Sequence, residues 1–213
     1  IYRKYCVGDI VKKFLFALVV LLSLSACAQV QNAGAAAIVE GKEISVSTIG
    51  QQYTEVISNL DGGLKPGTDK EIHKSLVSAF VLDELVTLAA TELGVAATDA
   101  DIQVTRRNYQ SMFGGKKAFI KTAAENAIPV SGIDSNIRTT INFENIGKSL
   151  DPEGNPDSQS AAAVDFLLEY GKLVDIEVNP RFGTFALEKF GLVNVQSDST
   201  ITGKQLKLAL MPK

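Results

Sequence analysis

Residues 68–94 read TDKEIHKSLVSAFVLDELVTLAATELG, and no other stretch beyond the apolar N-terminal segment can serve as the centre of a core. Ile72, Leu76 and Phe80 recur at helical spacing, and so do Val77, Val81, Leu85 and Leu88. Thr68 or Asp69 can accept hydrogen bonds from the first free backbone N–H groups. Glu71 places an anion at the positive end of the helix dipole, and Gly94 stands where a helix closes in a left-handed turn. The spacing predicts one helix of about twenty-five residues, nearly 40 Å long at ~1.5 Å per residue. Its second half is apolar on more than one side, so other elements must surround it. Asp83-Glu84 in its middle reads as an acid pair on the polar side, facing water.

Working outward from this helix, Val39-Glu40-Gly41-Lys42-Glu43-Ile44 alternates apolar and polar residues around a glycine, which predicts two very short strands and a tight turn. Ser45 or Ser47 then caps a helix over about Val46 to Leu60, with Ile49, Tyr53, Val56, Ile57 and Leu60 on one face. Asp61 to Gly67 breaks it. Beyond the long helix, Thr98, Asp99 and Asp101 open another helix with a cap and first-turn acids. Further helices are predicted over about Lys116 to Asn126, Gly132 to Ser149 and Ser158 to Leu173, with a polar break at Asp151 to Pro156 between the last two. Ile176 to Asn179 alternates as a strand and is expected to pair near Val39 or Ile44. Leu192 to Val195 can form another strand, and Leu206 to Met211 is apolar. The fold expected is mainly α: a helical bundle around one long helix, with a very small β-sheet joining the N- and C-terminal segments.

The order VEGKEIS, helix, then a long helix ending in LAATELGVAATDADI resembles the N-terminal chaperone domain of SurA-type and PrsA-like foldases over about residues 36–113. VNPRFGTF (Val178 to Phe185) is similar to the closing segment of some lipoprotein relatives of that family. The resemblance implies a helical chaperone domain that binds unfolded exported polypeptides in an apolar cleft, without ATP. Such proteins often carry a parvulin prolyl isomerase domain of roughly another hundred residues with two active-site histidines. This chain has only His73 and no room for that domain, so no isomerase activity is expected.

The N-terminal region reads as an export segment. A basic pair, Lys12-Lys13, precedes an apolar run from Phe14 to Leu22, and small residues lead to Cys27. Residues 1–10 do not read as a natural beginning, and translation is expected to start at Val11. Leu24-Ser25-Ala26-Cys27 resembles the lipobox of bacterial lipoproteins, in which the peptidase recognises the residues at Leu24, Ser25 and Ala26 and the Cys27 thiol receives a diacylglyceryl group. Two or more acyl chains, at ~0.8 kcal/mol per buried methylene, anchor a protein stably. The domains expected are a signal at residues 1–27, a tether at 28–37, a helical domain at 38–187 and a C-terminal extension at 188–213. The expected location is extracytoplasmic and membrane-anchored.

Charge and motif content narrow the function. The chain holds 21 basic and 24 acidic residues; without residues 1–27 the count is 17 against 23, a formal −6. A mildly acidic, interspersed surface argues against nucleic acid as a partner. Gly62 to Thr68 (GGLKPGT) carries threonine where a phosphate-binding loop needs lysine, so it reads as a plain turn and no nucleotide is expected. HExxH, GxSxG and CxxC are absent from the sequence, His73 lies between charged residues as a surface histidine does, and Asp99 and Asp101 suit helix capping. No catalytic residue, metal or cofactor is expected. Tyr109, Met112, Phe113 and Phe119 form a cluster of large apolar residues beside Gly114-Gly115. They are candidates for client binding, because aromatic and Met side chains adapt to many apolar partners, although filling the core between helices is the reading such residues more often carry. The alternative to a chaperone is a structural or adaptor lipoprotein that docks one specific protein at the envelope.

Overall fold

The computed structural model describes residues 34–194. Val11, Leu24 to Cys27, most of the expected tether, Val195 and the apolar run Leu206 to Met211 lie outside the described residues. What is described is mainly helical with small antiparallel sheets. In chain order come β1 (Ala35–Val39), β2 (Lys42–Ser45), α1 (Val46–Ser58), α2 (Asp69–Glu92), α3 (Asp99–Met112), α4 (Lys116–Glu125), a 3-10 turn (Val130–Gly132), α5 (Ile133–Leu150) and α6 (Pro156–Tyr170). Three short strands follow: β3 (Ile176–Val178), β4 (Thr184–Ala186) and β5 (Gly191–Val193).

The helix ends follow local chemistry. Ser45 caps α1, its Oγ accepting from Thr48 N at 3.0 Å. At the start of α2, Thr68 Oγ1 accepts from Glu71 N and a Glu71 carboxylate oxygen accepts from Thr68 N at 2.8 Å, a reciprocal pair that satisfies two free donors. Thr98 and Asp101 repeat the device at α3. The end of α2 is closed by Gly94 at φ +69°, with Gly94 N donating to Thr91 O and Val95 N to Ala90 O. That left-handed turn is the one a glycine supplies at least cost.

The long helix α2 is the hub. Its first half, through Val77 and Val81, packs against the sheet and α1, in a core that includes Val39, Ile49, Val56 and Phe182. Its second half, through Leu85, Val86 and Ala89, packs against Phe143 and Ile146 of α5 and Ala163 and Leu167 of α6. A third cluster joins α3, α4 and α5 through Ile102, Phe119, Ala123, Ile133 and Ile137. From Val81 to Val86 every residue of α2 is buried, as expected for a helix wrapped on all sides. At the α5–α6 crossing, Gly147 lets the backbones touch: a Cβ there would sit 2.5 Å from Gln159 O.

β1 is the centre of a three-stranded sheet ordered β2-β1-β3, all antiparallel. Ala37 faces Val178 and Val39 faces Ile176, so the strand expected to return to the N-terminal hairpin does so. Asn179 extends the join, its side-chain amide donating to Ala35 O and its backbone N to Ala36 O, both at 3.0 Å.

Three expectations require correction. Ala35, Ala36 and Ala37, read as the end of a tether, belong to β1 and are buried at 4% exposure or less. Small side chains are what lets β1 lie flat beneath its neighbours, and a run of alanines hides that role as low complexity. The boundary placed after residue 187 falls inside a hairpin, because β4 pairs with β5 and Phe190 is buried in the second core. Asp83 and Glu84 do not face water: they are 8% and 9% exposed. Asp83 accepts from Thr139 Oγ1 at 2.8 Å and lies 3.6 Å from Arg138 on α5, while Glu84 pairs with Lys42 of β2 at 2.5 Å. The wrapping of α2 that its apolar half demanded leaves no solvated side for them, and each carboxylate is matched by a cation.

Candidate functional site

A groove of about 610 Å3 opens between α2, α3, α4, α5 and the β4–β5 hairpin. Its size lies within the ~300–1,000 Å3 of ligand clefts. The floor is the outward face of α2 at Ser75, Ser78, Ala79 and Leu82. One wall is the α3–α4 corner, with Tyr109, Phe113, Phe119 and Ala123; α5 adds Ile133 and Ile137. The opposite wall is the β4–β5 hairpin, with Phe190 and Leu192. The hairpin is pinned there by Leu192 N donating to Ser78 Oγ at 3.0 Å and by Lys74 Nζ donating to Asn194 Oδ1.

The aromatic wall has defined geometry. Phe113 and Phe119 stack with centroids 5.9 Å apart, and Tyr109 meets Phe113 edge-on at 6.5 Å and Phe119 at 6.2 Å. Such arrangements suit the ring quadrupoles. Phe119 is buried and anchors the trio, whereas Tyr109 and Phe113 are half-buried and offer ring surface to the groove. Burial raises the Tyr109 hydroxyl above its ordinary range, and the nearby Glu144 carboxylate adds to the effect. The groove's charged side chains, Glu71 and Lys74, lie on α2 two turns and one turn N-terminal of Ser78.

Of the four residues proposed from sequence for client binding, the structure brings Tyr109, Phe113 and Phe119 together on this wall. Met112 is separate: it is 67% exposed and does not line the groove. Cys27, Leu24, Ser25 and Ala26 lie outside the described residues. Sequence reading missed Ala79, Phe190 and Leu192. Ala79 carries a local signal, being an exposed small residue in an otherwise apolar helix, but the hairpin's position over α2 has none.

Other polar features serve the fold. His73 is half-buried, stacked on Tyr53 at 4.5 Å, with Nδ1 2.6 Å from Asp69 O. Tyr53 Oη donates to Asp69, and Lys65 pairs with the same carboxylate, whose protonation is pushed below its ordinary range first by Lys65 and then by Tyr53. Among the described residues there is no cluster of three His, Cys, Asp or Glu side chains able to hold a metal ion, no helix long and apolar enough to cross a membrane, and no buried side-chain polar atom without a partner.

Comparison with known proteins gives no match: no family model, curated protein or solved structure matches the chain.

Proposed function

We propose that this chain is a lipid-anchored, extracytoplasmic chaperone that holds unfolded exported polypeptides without ATP and without prolyl isomerase activity. The observation that supports it is the groove: a largely apolar trough of about 610 Å3 to which Tyr109 and Phe113 offer half-buried rings and whose charged side chains, Glu71 and Lys74, lie on the N-terminal half of α2. An unfolded chain presents apolar side chains in no fixed order, and a trough of this kind accepts them by burial rather than by hydrogen-bond matching. Each Å2 covered returns ~25 cal/mol. Association costs ~4–15 kcal/mol in lost freedom, so binding should be broad and in the micromolar range.

The test is an aggregation-suppression assay with the soluble chain starting after Cys27, combined with binding of fluorescently labelled, carboxymethylated lactalbumin, which cannot fold. Delay of aggregation and micromolar binding of unrelated unfolded chains support the proposal. Neither effect at those concentrations refutes it, and tight capture of one folded envelope protein in their place would establish the adaptor reading.

A further inference from the structure

We propose that the outer edge of β3 is a docking site for an extended polypeptide segment carrying a basic residue, which joins the sheet as a fourth strand in the order β2-β1-β3-segment. The site shares no lining residue with the groove and does not rest on the chaperone reading.

The register decides which main-chain groups of β3 are spoken for. Glu40 N donates to Asp175 O at 2.9 Å and Asn179 N to Ala36 O at 3.0 Å. Bonded and non-bonded pairs alternate along an antiparallel ladder, so Ile38 and Glu177 are the bonded pair between those two contacts. The N–H and C=O of Ile176 and of Val178 therefore point away from β1. β3 is an edge of its sheet, and among the described residues no turn, loop or side chain meets these four groups. Donors and acceptors alternating along an open edge are what the main chain of another strand pairs with, whatever its side chains.

Space and charge say what kind of segment fits. A cavity of about 420 Å3 is lined by Ile176 and Val178 together with Val174, Phe185 and Leu187, so a strand laid ~4.8 Å from β3 finds apolar surface for its side chains. β4, on which Phe185 lies, belongs to the other sheet and does not continue the ladder of β3. Among the described residues the cavity has one charged lining side chain, Asp175, and the Glu40 carboxylate beside it accepts from Asp175 N at 2.8 Å. The nearby cations are engaged elsewhere: Lys172 pairs with Glu169 at 2.6 Å, and the Arg181 guanidinium lies 4.5 Å over the Phe182 ring. Neither lines the cavity. A lysine or arginine in the added segment thus meets acid, whereas an acidic one is repelled.

The test titrates the isotopically labelled full chain with an acetylated, amidated pentapeptide in which threonine and valine alternate around a central lysine, read by amide resonances and hydrogen exchange. Because so short an edge offers few bonds, Kd is expected on the order of millimolar. The Ile176 and Val178 amides should shift and exchange at least about fivefold more slowly at saturation. Methylating one alternate set of the peptide's amide nitrogens should abolish binding, while methylating the other set leaves it within about twofold, since one edge of a strand pairs. Val178→Pro removes an outward donor without removing a bond to β1 and should weaken binding about fivefold or more; Val178→Ala, which keeps that donor, should not. Replacing the peptide's lysine by glutamate should weaken binding severalfold. No binding, shifts confined to the groove, equal loss with both methylated sets, or equal binding of the glutamate peptide would overturn the proposal. So would concentration-dependent shifts of the same amides without peptide, which would put a second copy of the chain on this edge. Pentapeptide binding at β3 without any binding of carboxymethylated lactalbumin would sink the chaperone reading and leave this site standing; lactalbumin binding without an effect at β3 would do the reverse.

Discussion

Asp83 shows how one side chain can be placed against its own preference. Burial raises its protonation above the ordinary carboxylate range, and the hydrogen bond from Thr139 and the charge of Arg138 only partly oppose this. The folded protein therefore keeps the Asp83 proton at higher pH than the unfolded chain does. The contribution to stability is fully present below the unfolded value of ~3.9 and is lost as pH rises through the folded one. Glu71 and Asp101 have the opposite sign: hydrogen bonds from Thr68 and Thr98 hold them below their ordinary range, so their contributions vanish as pH falls through their folded values. Asp83→Asn is thus expected to gain on the wild type between pH 4 and pH 7. Urea midpoints of both proteins at the two pH values check this, and a gain in the other direction would mean that Arg138 and Thr139 outweigh the burial. At the same scale the sequence was only half readable. The capping roles of Thr68, Glu71, Thr98 and Asp101 are decided within four residues and can be seen in the chain. The burial of Asp83 is decided by Lys42, Arg138 and Thr139, dozens of positions away, and cannot.

Between elements, the closest approach is α5 against α6 at Gly147. In a free helix, replacing glycine by alanine gains up to ~1 kcal/mol. Here the new methyl would meet the Gln159 carbonyl oxygen at 2.5 Å, backbone that can move only by parting the helices. Gly147→Ala is expected to cost about 1–3 kcal/mol, read as a fall in thermal midpoint of ~2–4 °C per kcal/mol for a domain of this size. The β4–β5 hairpin offers a second test. Phe190 sits in the second core at φ +45°, and removing its ring by Phe190→Ala should cost ~3–5 kcal/mol in chemical denaturation, a loss that a loosely attached extension would not produce. Helices of ten or more residues announce themselves by periodicity, and the long helix and its wrapping were legible for that reason. Among the three-residue strands, Ile176–Val178 shows its alternation because two β-branched residues flank a polar one, whereas Thr184–Ala186 holds a single large apolar residue and gives no such pattern.

For the molecule as a whole, the groove arises where four helices and the β4–β5 hairpin converge. Tyr109, Phe113 and Phe119 could be picked out as a cluster because they are near in sequence. Nothing in the chain says that Ala79 and Leu192, 113 positions apart, line the same trough. Ala79→Glu tests the groove with little disturbance to the fold, because Ala79 is exposed and glutamate is a good helix former. Under the proposed function it should weaken binding of an unfolded chain about tenfold, or ~1.4 kcal/mol, with an unchanged thermal midpoint; equal binding by the variant would place client contact elsewhere.

The sheet that ties the two ends of the fold together also imposes a timetable. β1 is synthesised early, and β2 can join it almost at once, but the partner for its other edge, Ile176 to Val178, lies nearly 140 residues downstream. At ~5–20 residues per second of translation, that edge waits on the order of ten seconds or more for its neighbour. The nascent protein must therefore spend most of its synthesis as an unfinished ribbon, and protease resistance should arrive late and all together, once the last strands have cleared whatever machinery delivers them.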